Sequence, residues 1–343
     1  MADTPRRPFT PDDSLPPVEP PSAAFLVQLF LVPAIIVAII VCVWLAFHWL
    51  AQLGNDPQGY VKTLRRNNEG RWQAALNFAN DLRGPGGQAL KGDVGLAQEL
   101  GSILADEVAS GRPQVAGHAG EQSKTLCGYL CRALGEFAVP EAAAPLVARA
   151  ADASDPDTAQ AAVEALAVLA DNLATAGRSF TDPAAVTAVL LSAAGSDDAA
   201  VRSRAAYALG VVGGSGATGR LRALLGDAAD NVRFNAAVGL ARQHDPAAWD
   251  TLGEMLALPD IEAAPGDDAK QSERYKRALV VLNGLKAVGL LVDATRSPPP
   301  AAVAKRVAAL RKDPVPDVRT AATALAAKLE RISGSPSSVP QEQ

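Results

Sequence analysis

Between Glu19 and Asp56 the chain runs for 36 residues without one Asp, Glu, Lys or Arg. At about 1.5 Å per residue a helix of this length crosses a hydrocarbon core of roughly 30 Å with some tilt, so a single transmembrane helix is predicted over residues 23–53. Trp44 and Trp49, near its end, carry the amphipathic rings that favour a membrane–water boundary. The run starts late, is long, and is closed by no small-residue cleavage pattern, which argues for an uncleaved anchor over a signal peptide. Ala34, Ala38, Cys42 and Ala46 recur at spacing four. That spacing lays a seam of small residues along one helix face, where a partner helix could approach closely. Pro33 is placed to kink the span.

The flanks set the expected orientation. Lys62, Arg65 and Arg66 follow the span closely, while the leading side offers only Arg6 and Arg7 at its remote end. The positive-inside bias then puts the large C-terminal part in the cytoplasm, on the inner face of the cell membrane. Residues 1–22 hold seven prolines and a net charge of −2, and residues 332–343 are rich in Ser and Pro; both are predicted to be disordered tails. Three cysteines in 343 residues provide no disulfide framework.

Beyond the span one pattern returns. Val201-Arg202 is followed by Ala205-Ala206 and then Leu209-Gly210; Val232-Arg233, 31 residues further on, is followed by Ala236-Ala237 and Leu240. Residues 126–135, 158–167 and 70–79 fit the same frame through Leu130-Cys131, Ala161-Ala162 and Ala74-Ala75, and Val318-Arg319 with Ala321-Ala322 is a last copy slipped by one residue. Positions i, i+4, i+5 and i+8 share one helix face; paired alanines there let neighbouring helices close up while leucines fill the gaps between layers. A helical pattern repeating every 30 to 45 residues marks an α-solenoid. Asp198, Asp230 and Asp317 are expected to cap these helices, and 142–150, 183–194, 219–225 and 249–258 read as the first helices of two-helix units. The stretch 275–289 is helical in pattern without a fixed register. No alternating strand pattern appears, so an all-α solenoid is predicted over 57–331. Longer insertions at 84–95, 111–123, 171–182 and 259–273 are expected to gather on one face, the last as a solvated acidic loop through Asp260, Glu262, Asp267, Asp268, Lys270 and Glu273.

On Val201-Arg202, Ala205-Ala206 and Leu209-Gly210, with the copies at Val232 and Val318, the chain resembles the HEAT repeat family, in particular the short PBS-lyase-type HEAT-like repeats also found in phycobilin lyase subunits. It is also similar to single-pass bacterial proteins with a short acidic tail, one helix and a HEAT array. The resemblance implies a helical-hairpin fold and a binding role, since such repeats serve many unrelated partners.

Chemistry-bearing patterns are few. Cys127 and Cys131 stand one turn apart, with His118 as an imaginable third zinc ligand, but Cys131 falls in an alanine slot of the repeat and is expected in the core. No metal and no cofactor are therefore predicted. The glycines of 210–216 follow a helix and not a strand, so they read as a turn and not a phosphate loop. The recurring Arg71, Arg202, Arg233 and Arg319 are expected to form a ladder bonded to carboxylates or carbonyls of neighbouring repeats. His48, His118 and His244 neighbour no Ser or Cys nucleophile, so no catalytic residue is assigned. A net charge of −5 lacks the basic field that nucleic acid requires. The expected function is a membrane-anchored scaffold or adaptor for a protein partner, with lipid contact through 23–53 and no catalysis. The alternatives are a lyase or lyase accessory subunit, implied by the phycobilin resemblance, and a structural envelope protein.

Overall fold

The computed structural model describes residues 22–53, 57–66, 68, 70–152, 154–262 and 267–334. The tails expected at 1–22 and 332–343 lie outside the described residues, except Ser22 and the end of the last helix, which runs on to Gly334 and so overlaps the expected tail. By its contacts the chain separates into two compact units between Asn55 and Asp56.

The first unit holds α1, Ala23–Leu53, with Pro33 inside it. Its segment Val27–Phe47 has a mean hydropathy of 3.0 over 21 residues, and none of it is buried against protein. Isoleucines, valines and Phe30 stand exposed all round the helix. A helix that is apolar on every side and uncovered has no aqueous solution to its own surface.

The second unit is a run of hairpins. Their first helices are α2 (Pro57–Arg65), α4 (Val94–Ala109), α6 (Ala143–Ala150), α8 (Pro183–Ala193), α10 (Ala217–Leu224), α12 (Trp249–Leu256) and α14 (Ala301–Leu310). Their second helices are α3 (Arg71–Arg83), α5 (His118–Gly135), α7 (Pro156–Thr175), α9 (Ala199–Val212), α11 (Asp230–Arg242), α13 (Asp268–Thr295) and α15 (Pro316–Gly334). No strand occurs among the described residues. Each second helix packs on the next, α3 on α5 through to α13 on α15, and the first helices form a looser parallel row. The chain is thus an all-α solenoid of two helix layers.

The paired slots do what their size dictates. Ala205, Ala206, Ala236, Ala237, Leu209 and Leu240 are fully buried. Cys131 sits in the same kind of slot and is equally buried, a small apolar filler. At Gly210 of α9 an added Cβ would lie 2.4 Å from the Cα of Gly239 in α11, so the two backbones touch. Gly135 of α5 makes the corresponding approach to Ala165 of α7 at 2.9 Å. Gly284 fixes the register of α13: it meets Met255 and Leu256 of α12 as Gly239 meets Leu221 of α10. By length and composition α13 also resembles a membrane span, but almost half of that stretch is buried among its neighbours, which makes it a core helix.

Three expectations need correction. Asp198 does cap α9, accepting from the Ala200 amide at 2.7 Å, but Asp230 lies inside the first turn of α11, and Asp227 accepts from the Ala229 amide at 2.9 Å instead. At α15 the same role falls to Asp313, which accepts from Val315 at 2.9 Å, while Asp317 is already helical. Helix α11 therefore begins at the Asp that precedes its Val-Arg pair, and α15 one residue before its Asp. The acidic insertion is shorter than read, because Asp268, Lys270 and Glu273 belong to α13, which Asp267 caps through the Lys270 amide. Nor do the insertions gather on one edge. Consecutive helices joined by short connections run antiparallel, so the α3–α4 and α7–α8 connections lie at one edge of the array and the α4–α5 and α12–α13 connections at the other.

A valine at position 210 (Gly210→Val) must push α9 from α11, and is expected to cost about 1–3 kcal/mol. Gly128→Ala, in the interior of α5 with open space around it, is expected to stabilise by up to about 1 kcal/mol. Thermal melts of the full chain in detergent, followed by circular dichroism, should move in opposite directions for the two substitutions.

Candidate interaction surface

Two residues before each buried Phe or Leu of the second helices (Phe78, Leu134, Leu166, Leu209, Leu240 and Leu285) lies a slot that is only partly buried or exposed. Along the array it is filled by Leu76, Arg132, Glu164, Tyr207, Val238 and Asn283. The first three line a cleft of about 320 Å³ formed by α3, α5 and α7. The other three line a cleft of about 800 Å³ formed by α9, α11 and α13. The bridge from α7 to α9 between them is an ion pair, Arg204 Nε to Glu164 Oε2 at 3.2 Å.

Aromatic rings and guanidinium groups alternate on this face. Trp72 stacks on Tyr129 with centroids 6.2 Å apart, and the Arg132 guanidinium covers the Tyr129 ring at 5.1 Å. In the larger cleft Arg242 of α11 covers Tyr207 of α9 at 5.8 Å, beside Phe234. The Asn235 amide donates to Ser203 Oγ at 2.9 Å and to the Ser203 carbonyl at 3.1 Å, which locks its orientation at the cleft floor.

The predicted arginine ladder is present, and its geometry shows what it does. Arg71 donates to the Leu64 carbonyl at 2.7 Å, Arg202 to those of Ser196 and Asp197, Arg233 to that of Asp227 at 3.0 Å, and Arg319 to that of Asp313 at 2.8 Å. Each closes its own hairpin: Arg71 on a carbonyl in the last turn of the first helix, and the others on carbonyls of the turn that follows it. Arg202 also forks onto Asp227 of the next repeat at 2.7 and 2.9 Å. Arg277, deep in α13, reaches Asp313 ahead of α15 at 2.7 Å. These arginines serve the scaffold and are not free for a ligand.

Glu107, 1 % exposed, closes a cleft of about 220 Å³ at the α3–α4–α5 corner. It accepts from Arg71 at 2.6 Å, and from Arg112 and Ser123. Burial raises its pKa, but the hydrogen bonds from Arg112, Ser123 and Arg71 outweigh that and hold it below the usual carboxylate range.

The zinc idea fails on placement. His118 opens α5 and bonds Gln122 at 3.0 Å. It is nine residues from Cys127 along one helix, on the order of 13 Å in rise. Burial, with the Glu107 charge, pushes the Cys127 thiol up to about 12, and Cys131 is raised further, so neither offers a thiolate. Among the described residues no three His, Cys, Asp or Glu side chains gather as a metal would need. His244 sits in a left-handed turn (φ 61°) after α11. Gly213, Gly214 and Gly216 supply the positive φ values of the α9–α10 turn, as a turn requires. Ala34, Ala38, Cys42 and Ala46 lie exposed on α1. The side chains of His48 and Trp49 are outside the described residues. The Tyr–Arg pairs were not singled out from sequence; the i,i+3 spacing of Tyr129 and Arg132 carries a signal, whereas Tyr207 and Arg242 meet only across a repeat.

A two-layer array of helical hairpins joined by an arginine ladder is an α-solenoid, and comparison with known proteins names its class. Residues 187–263, from within α8 to beyond α12, match the family model for HEAT repeats. HEAT repeats are therefore what this stretch of the chain is made of, and the hairpins on both sides continue the array. No curated protein matches the chain. Among solved structures it is similar to an engineered protein (18 % identity, 81 % of this chain and 97 % of that one, TM-score 0.34) and to human deoxyhypusine hydroxylase in complex with glycerol (18 %, 83 % and 98 %, 0.31). It is also similar to YibA of Escherichia coli (15 %, 83 % and 96 %, TM-score 0.35).

The Glu107 cluster makes acid sensitivity predictable. A carboxyl with a depressed folded-state pKa stabilises fully above its ordinary value of 4.5 and loses that contribution as pH falls through the depressed value. Glu107→Gln should lower stability by about 3 kcal/mol at neutral pH and flatten the dependence below pH 4.5, read as melting midpoints from pH 7 down to pH 3.

Proposed function

We propose that this chain is a single-pass membrane protein whose HEAT solenoid is a non-catalytic adaptor, holding a protein partner on the face formed by its second helices. The observation that carries the reading is the pairing of an uncovered apolar helix, Val27–Phe47, with a soluble-type array that leaves Trp72, Tyr129, Tyr207, Arg132 and Arg242 on one open face. Lipid is the medium that satisfies the first, and Trp, Tyr and Arg are the residues on which protein interfaces concentrate their binding energy. Tethering supplies the mechanism, because confinement near the bilayer raises the effective concentration of whatever the face binds. The buried carboxylates Glu107 and Asp313, and the half-buried Asp227, support a non-catalytic role, since each is committed to arginines of the scaffold. Lys62, Arg65 and Arg66, just beyond the span, favour a cytoplasmic solenoid in the inner membrane. Ala34, Ala38, Cys42 and Ala46 offer a seam for a helix of a membrane-complex subunit.

Two measurements test this. Cross-linking in cells followed by affinity recovery in mild detergent should return a recurrent protein with the full chain but not with a control ending at Asp56. Tyr129→Ala with Tyr207→Ala should reduce that recovery at least about tenfold. With tags at both ends, protease added to spheroplasts should digest the N-terminal tag and spare the C-terminal one. A missing N-terminal tag in the membrane fraction would show a cleaved leader and remove the anchor from the account.

A further inference from the structure

We infer that the second-helix face receives an extended, acidic segment of the protein partner, with Tyr129–Arg132 and Tyr207–Arg242 as its two carboxylate receptors. The inference rests on the adaptor reading and adds the chemistry of what is held.

Charge on this face is unevenly spent. Glu136 is taken by Arg83 at 2.7 Å and Lys91 at 3.5 Å, and Glu164 by Arg204. Asp230 is taken by Arg233 at 2.8 Å, and Glu273 by Lys276 at 2.9 Å. Among the described residues Arg132 and Arg242 meet no carboxylate, and both are exposed. Their guanidinium groups rest on tyrosine rings instead, at 5.1 and 5.8 Å. A guanidinium laid flat on a ring keeps its N–H edges for a partner and loses less freedom when it forks onto a carboxylate. A chain of net charge −5 thus presents two uncompensated positive groups, one in each of the two clefts on this face, which is charge complementarity to an acidic partner.

Spacing defines the segment. Arg132 is on α5 and Arg242 on α11, three helix steps apart in the second-helix row. At about 8–10 Å per step the two sites stand roughly 25–30 Å apart, the reach of about eight or nine extended residues. Between them Val168 and Val238 offer apolar contact. The Asn235 Oδ1, with its amide nitrogen already bonded to Ser203, is left to accept a backbone N–H.

The test uses the full chain in nanodiscs of neutral lipid and fluorescence anisotropy of a labelled peptide bearing Glu-Glu at each end of a neutral spacer of about eight residues. Saturable binding is expected, weakened at least about tenfold by either Arg132→Ala or Arg242→Ala and by added salt. It should be unchanged by Lys305→Ala on the opposite row. Both arginines are solvent-exposed, so equal melting midpoints will confirm that the variants fold. Absence of saturable binding, equal binding of the Lys-Lys counterpart, or indifference to both substitutions overturns the proposal. So does tighter binding of a single-stranded oligonucleotide of the same charge. If a variant with both Arg132→Ala and Arg242→Ala still recovers the cross-linked partner in full, the acidic-segment inference falls while the adaptor reading stands; if wild type recovers none, the adaptor reading falls first.

Discussion

The solenoid depends on one packing constraint: a two-helix hairpin is too thin to hide its own apolar stripe, so every unit must lie against the next at backbone-touching distance. Small residues at the contact make that possible. Gly210 against Gly239, and Gly135 against Ala165, leave no room for a side chain, and the alanine pairs around them are buried. Dense contact between consecutive second helices then aligns the row, and the row creates the face on which the tyrosines and arginines stand.

Where the contact loosens, the face opens. Helices α9 and α11 meet glycine to glycine, but Gly284 of α13 turns toward Met255 and Leu256 within its own hairpin. The α11–α13 junction therefore lacks a backbone-to-backbone seam, and the larger cleft, about 800 Å³, lies there. The same junction carries the long α12–α13 insertion and the start of a 28-residue helix. Arg277, held between the Leu258 carbonyl and Asp313, ties this wider step to the final hairpin. The array thus packs more closely from α3 to α11 than in the steps onto α13 and α15.

Much of this was legible in the residues. The uncharged run announces α1, and Val201-Arg202 with Ala205-Ala206 announces α9, because apolar periodicity and small pairs are direct consequences of burial. The arginine ladder was legible for a related reason: a charged residue that recurs with the repeat is serving the repeat. Helix α4 escaped, since it precedes no Val-Arg copy that would frame it, and α14 escaped because the copy after it, Val318-Arg319, is slipped by one residue. The turns at Asp227 and Asp313 escaped because the Asp of the signature is already helical in α11 and α15, so the carboxylate that accepts a backbone amide stands three or four residues earlier. Glu107 looks like any helical surface glutamate until α3 and the turn at Arg112 close over it. Tyr207 and Arg242 are 35 residues apart, and only the stacking of α9 on α11 brings them together.

That division has a physical basis which bears on function. Positions that face the next repeat are held to small or branched apolar residues by close packing, so they report the fold and nothing else. The slot two residues before each buried Phe or Leu is partly open to solvent and less restricted, and it runs Leu76, Arg132, Glu164, Tyr207, Val238, Asn283 with no periodicity. In a repeat protein the information about a partner must reside in such aperiodic positions, since the periodic ones are already determined by the stack. Two of these six positions hold a member of a tyrosine–arginine pair, and each pair lies in a different cleft. A partner that met only one would gain a single charged contact, worth little in water. One that spanned both would join two weak contacts into a specific grip, its length measured by the rise of the solenoid itself.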